Sequence, residues 1–285
     1  MLSLGIIIAL GSTLLIATSD TLIKKLAAKL GSYLTATVPL AVAIIPLLTV
    51  AVVIPPVSIA PVYLLFTVLG GLIYALALIL ILKSLETEQA SNTWALSNIT
   101  LVPIILLGAL VLAEPLNTIE IVGILAVIFG STLITVTGDL KFNKKLFPAI
   151  AGNLLYAIYF LLITYSISQA PGAYTMIFPL AYAVALVALL AYGASASRLI
   201  PSLRRFGKAR ILPLTVLVGL LSGLSYVLWL FVVVLKTVAL GGAIQVFEPA
   251  IVVVFAYFVY KERLTALQMA GIVIALGGAL AISLL

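Results

Sequence analysis

Glu114-Pro115-Leu116-Asn117-Thr118-Ile119-Glu120, near the middle of the chain, and Glu262-Arg263-Leu264-Thr265-Ala266-Leu267-Gln268, near its end, are two versions of one phrase. Each stands at the head of an apolar stretch. After each, glycines fall at the same two places, Gly123 and Gly130 in the first copy and Gly271 and Gly278 in the second, at a constant offset of 148 residues. An offset of about half the chain means one unit used twice, and in a chain this apolar the unit is a set of five helices.

Of the 285 residues, 65% are hydrophobic and 8% charged. That is too little polar surface to coat a soluble globule, whereas a bilayer solvates such a chain readily. Hydrocarbon cannot satisfy backbone groups, so spans must be helices or a closed barrel, and the runs here are continuously apolar for about twenty residues rather than alternating. The fold class expected is an all-α, multi-pass membrane protein. The absence of cysteine and histidine removes disulfides, thiolate and imidazole metal ligands, and Ser-His or Cys-His nucleophiles. Most enzyme chemistries leave with them, and neither a metal nor a cofactor is expected. The first apolar run carries no basic n-region or small-residue cleavage site and reads as the first span. No Gly-x-x-x-x-Gly-Lys-Ser/Thr motif occurs, so energy for any transport would come from a gradient.

Apolar runs and their interrupters give ten spans of about 20 residues each. They lie at 3–23, 33–54, 61–82, 90–112, 117–137, 147–168, 173–193, 211–235, 239–260 and 264–284. Pro55-Pro56, Pro171-Gly172 and Gly241-Gly242 break the runs. Only 138–146 and 194–210 are long enough for solvated loops, and the first separates a five-helix unit of residues 1–140 from a second of 141–285.

Charge placement is a second argument for the duplication. All but one of the 15 lysines and arginines follow odd-numbered spans; Lys236 alone follows an even one. By the positive-inside rule the odd-numbered loops are cytoplasmic and both termini extracytoplasmic. Because each unit holds an odd number of spans, the second copy must be inserted upside down, and equivalent loops should differ in charge. They do: 55–60 carries no basic residue, whereas its counterpart carries Arg198, Arg204, Arg205, Lys208 and Arg210. Inverted repeats of this kind build alternating access around a midplane site. The basic clusters are sufficiently explained as topology signals, so no nucleic-acid partner is expected.

The twice-repeated Glu-x-Leu-Thr/Asn phrase with its glycine-punctuated helix, together with Leu-Lys-Ser-Leu at 82–85 and Leu-Lys-Thr-Val at 235–238, resembles the drug/metabolite transporter superfamily in its EamA-like ten-helix branch. The resemblance covers essentially the whole chain. It implies two inverted five-helix repeats, with the first, third, fourth, sixth, eighth and ninth helices around a central cavity. The fifth and tenth would lie outside, available for packing or a homodimer. Two features depart from the pattern: Leu10-Gly11-Ser12 stands where many relatives carry Trp-Gly, and relatives are often drawn with cytoplasmic termini.

Within the repeated phrase, Asn117-x-x-Glu120 and Thr265-x-x-Gln268 fit capping boxes. Glu114 and Glu262 just before them suit the positive end of the helix that follows, or a gating salt bridge. The seven-residue glycine spacing keeps one helical face small for close helix contact.

Two carboxylates fall inside the hydrocarbon, Asp20 and Glu248, and an intramembrane acid is expensive unless it faces a partner or a wet cavity. Glu248 shares a face with Gln245 and precedes Pro249, which interrupts the backbone ladder. With no histidine present, Glu248 and Asp20 are the candidate proton carriers. Asp20 sits toward the cytoplasmic end of its span, with Lys24 one turn on as a potential ion-pair partner. The candidate cavity set is Asn98 and Trp94 in the fourth span, Asn153 and Tyr156 (with Tyr159) in the sixth, Tyr226 and Trp229 in the eighth, Gln245 and Glu248 in the ninth, and Tyr74 in the third. Such a cavity, with no cation near the middle of any span, argues against phosphate esters and for a small neutral or zwitterionic metabolite. The function expected is export of small metabolites, amino acids first, across the cytoplasmic membrane, with protons as the candidate coupling ion. The alternatives are a facilitative carrier of sugars or drugs and a non-transporting lipid-handling or structural subunit. A structural bundle would pack Asn98, Asn153 and Glu248 against one another.

Overall fold

The computed structural model describes residues 2–56, 59–100, 102–103, 118–135, 143–196, 200–201, 204, 206, 211–234 and 247–283. Among them lie α1 (Leu2–Leu30), α2 (Ser32–Val53), α3 (Pro61–Leu85), α4 (Ala90–Ala95, prolonged by a 3₁₀ turn over Leu96–Thr100) and α5 (Thr118–Thr135). The second half contributes α6 (Phe147–Gln169), α7 (Tyr174–Ser195), α8 (Leu212–Val234), α9 (Glu248–Tyr260) and α10 (Ala266–Ser283). Six of these helices, α1, α2, α3, α6, α7 and α8, are long and apolar enough to cross a membrane. The apolar stretches of α5, α9 and α10 are shorter. Glu114, Asn117, the Gly241-Gly242 pair and Gln245 lie outside the described residues.

Local chemistry sets the boundaries. Proline in the first turn opens α3, α6 and α9, where its missing N–H costs nothing. Gly31, with φ of 79°, separates α1 from α2, and Lys261 in the left-handed region closes α9. The second capping box forms: the Gln268 amide donates to Thr265 Oγ1 at 3.2 Å, and the Thr265 amide to Gln268 Oε1 at 3.1 Å. One boundary differs from the expectation. Residues through Leu30 continue α1, so the apolar helix runs Ile7–Leu30, Lys24 and Lys25 belong to it, and Asp20 lies near its middle.

The helix pairing repeats itself. α1 packs on α8 as α6 packs on α3, and α2 packs on α8 as α7 packs on α3; three further pairs, α2 with α7, α4 with α9 and α5 with α10, join a helix to its own counterpart in the other half. In α5 and α10 the glycine faces meet. A Cβ on Gly130 would stand 2.5 Å from the Gly271 carbonyl oxygen, and one on Gly278 would stand 2.6 Å from that of Gly123. As residue numbers rise in α5 they fall in α10, so the pair is antiparallel. α2 and α7 are antiparallel too: Thr175 Oγ1, near the start of α7, donates to the Ile54 carbonyl at 3.0 Å, while the Tyr33 and Tyr192 rings meet 6.2 Å apart at the opposite ends.

Serines zip α1 to α8. Ser12 and Ser225 exchange side-chain-to-carbonyl bonds of 3.0 and 2.9 Å, and the Ser19 and Ser222 hydroxyls lie 2.7 Å apart. Small hydroxyl residues let helices approach where no water is available to bond them. Outward faces are apolar, as on α5 with exposed Val122, Leu125 and Phe129 and on α9 with exposed Val254, Phe258 and Val259.

Candidate functional site

α1 and α9 bring Asp20 and Glu248 together in the middle of the bundle, carboxyl beside carboxyl and close enough to hydrogen-bond. Asp20 is buried. Glu248 begins α9, with Pro249 in the same turn. It lies among side chains yet keeps part of its surface open.

Five tyrosines cluster beside this pair and reach it through Tyr74 and Tyr156. Tyr74 of α3 stacks on Tyr159 of α6 with ring centroids 4.7 Å apart, and tilts against Tyr182 of α7 at 5.1 Å and Tyr156 of α6 at 6.0 Å. Tyr226 of α8 stands edge-on to Tyr182 at 5.2 Å. Their hydroxyls link in pairs, Tyr156 with Tyr226 at 3.3 Å and Tyr74 to Tyr182 at 3.5 Å. Tyr74 feels the charge of Asp20, and Tyr156 that of both acids. The Tyr159 hydroxyl, buried in the same cluster, has no hydrogen-bond partner among the described residues. Beside the cluster lies a small cleft of about 40 Å³, mostly apolar, with Thr35, Tyr74, Tyr182 and Ser222 as its polar lining. Its walls come from α1, α2, α3, α7 and α8. α2 and α7 thus join helices that the resemblance places around the cavity. Both carry internal prolines, Pro39 and Pro46 in α2 and Pro179 in α7.

The expected site residues divide. Asp20, Glu248, Tyr74, Tyr156 and Tyr226 converge on one centre. Trp94 is buried, and its indole N–H donates to the Asp20 backbone carbonyl at 3.0 Å, so it braces α4 against α1. Asn153 is buried and donates to Ala149 O of its own helix at 2.9 Å, while its Oδ1 accepts weakly from Thr100 at 3.5 Å. Asn98 and Trp229 are buried. Gln245 lies outside the described residues. Tyr182 was not among the expected residues; its signal was Pro179 one turn earlier in an otherwise unbroken apolar helix.

A second polar cluster closes one end of the bundle. Glu262, between α9 and α10, accepts the Ala90 amide at 2.9 Å, the Ser91 amide at 3.0 Å and the Ser91 hydroxyl at 2.6 Å, and pairs with Lys24 at 3.2 Å. Glu262 therefore caps α4, across the repeats, and not the helix that follows it in sequence. Lys24 pairs with Glu262 in place of the anticipated Asp20, and also donates to the Glu88 carbonyl. Glu88 accepts from Asn143 at 2.9 Å and faces Lys145 at 3.9 Å; Tyr260 donates to Thr21 O at 2.7 Å. Burial by itself would favour neutral Glu262, but the Ser91 hydroxyl, the two amides and Lys24 outweigh it and hold the carboxyl below its usual range.

The fold is shared with solved proteins. A chain titled "Crystal structure of protein" superposes with a TM-score of 0.59 at 16% identity, covering 99% of this chain and 95% of that one. No curated protein matches the sequence. The family model that does match is described as the EamA-like transporter family, and it matches twice, over residues 3–136 and again over 143–284. Two matches that together span nearly the whole chain, on a helical bundle whose halves repeat one packing pattern, establish that the chain belongs to the EamA-like transporter family.

Proposed function

We propose that the protein is a secondary exporter of the cytoplasmic membrane, moving a small metabolite about the size of an amino acid by alternating access. In this reading each half contributes five spans, residues 1–140 and 141–285, and the halves are inverted. The antiparallel α5–α10 and α2–α7 pairs support that, since equivalent helices of inverted repeats cross the membrane in opposite directions. The two halves rock about the Asp20–Glu248 centre. The Lys24–Glu262–Ser91 cluster is the closure at the cytoplasmic end, where the basic loops gather.

One observation carries the reading: an acid from each half meets the other in mid-bundle. Two carboxylates in contact within a low-dielectric interior do not both stay ionised, so the pair holds one proton between them. A proton held there, lost when the centre faces the other side, is a coupling ion. Asn153 bonds Thr100 rather than Glu248, and a cleft adjoins Tyr74, the neighbour of Asp20, which favours transport over a purely structural bundle.

Flux in proteoliposomes tests this directly, using amino acids, sugars and organic amines with and without a pH gradient. Saturable flux of one class, accelerated by the gradient, is expected. No flux of any class would overturn the reading.

A further inference from the structure

Resting on the transport reading, we infer that the central site takes a small organic ammonium ion, an amine without a carboxylate, in preference to a zwitterionic amino acid. The ring cluster of Tyr74, Tyr156, Tyr182 and Tyr226 meets the two acids through Tyr74, beside Asp20, and Tyr156, beside both, and Tyr74 and Tyr182 reach the cleft. Aromatic faces attract cations through their quadrupole, more so where water is excluded. The Tyr159 hydroxyl, buried within the cluster and unpartnered among the described residues, leaves an uncommitted polar group of the kind a ligand N–H satisfies.

The complement is as informative as the site. Among the described residues the buried polar side chains include no lysine or arginine, and Lys24 is committed to Glu262 and the Glu88 carbonyl. A substrate carboxylate at this centre would stand beside Asp20 and Glu248 with no described cation to balance it, which a water-poor interior penalises heavily. An ammonium meets charge, ring faces and a hydroxyl acceptor together.

A charge series on one skeleton tests the inference with purified protein: 2-phenylethylammonium, phenylalanine and 3-phenylpropanoate, each assayed for equilibrium binding and for counterflow in proteoliposomes. The ammonium is expected to bind at least about ten-fold tighter than phenylalanine, the scale of one desolvated cation–ring contact. The propanoate should show no saturable binding. Asp20→Asn and Tyr182→Leu should each weaken ammonium binding by about ten-fold, with Tyr182→Phe keeping most of it because the ring face remains. The comparison of the three probes on the unaltered protein does not depend on any variant folding. Phenylalanine binding as tightly as the ammonium would overturn the inference. Flux of phenylalanine with no ammonium binding would overturn it while leaving the transport reading intact. Ammonium binding with no solute ever crossing would support the site and sink transport.

Discussion

Gly130 lies so close to Gly271 that a Cβ on it would stand 2.5 Å from the Gly271 carbonyl oxygen and 2.6 Å from the Ala275 amide nitrogen. Both obstacles are backbone, which cannot swing aside as a side-chain end can. The contact holds α5 to α10, the helices that open with the repeated phrase. Gly130→Ala, and likewise Gly278→Ala, should therefore destabilise the protein by about 1–3 kcal/mol, the range for overpacking a tight contact. Thermal unfolding in detergent checks it, with Phe129→Ala on the outward face as the control expected to change little.

Glu262 joins α4 to the α9–α10 connection and pairs with Lys24 at 3.2 Å. Glu262→Gln and Lys24→Met should loosen that end. The chain has no cysteine, so a single Thr35→Cys in the cleft reports access from the basic end through its labelling rate. Faster labelling is expected in both variants, with the exchange Lys24→Glu plus Glu262→Lys recovering part of the closure.

The same residue sets a pH dependence. Its carboxyl is held below the ordinary glutamate value of 4.5 by bonds made in the closed form, so the closed form gains stability that is fully present above that value. It is lost as pH falls through the lowered one. Thr35→Cys labelling should stay slow from neutral pH down to about that value and quicken below it, a rise absent in the already open Glu262→Gln background.

Trp94 separates two roles. If it braces α4 through its bond to the Asp20 carbonyl, Trp94→Phe should cost about 1 kcal/mol of stability and leave ligand affinity nearly unchanged. A residue lining the cavity would lose affinity instead, and titration of the purified variant distinguishes them.

Much of this was legible beforehand, for physical reasons. Gly123, Gly130, Gly271 and Gly278 showed at fixed spacing because helix contacts without side chains leave no alternative residue. The Thr265–Gln268 box showed because caps are local. Asp20 and Glu248 stood out singly, as acids in hydrocarbon must, but their meeting could not be read, since the partnership is set by how α1 crosses α9. The same limit hid the Glu262 cap of α4: local logic assigned Glu262 to its own following helix, and tertiary packing gave it to another. The end of the first helix was placed too early because three lysines read as its end, whereas it continues through them. Tyr182 was missed because one tyrosine in an apolar helix looks like packing until its neighbours are known.

The most direct test of the central claim is proton movement coupled to solute in proteoliposomes, read with an internal pH dye, for the unaltered protein and for Asp20→Asn combined with Glu248→Gln. The account predicts that a transported amine drives proton flux in the unaltered protein, and that the double variant loses this coupling entirely. Full pH-coupled transport by the double variant would contradict it.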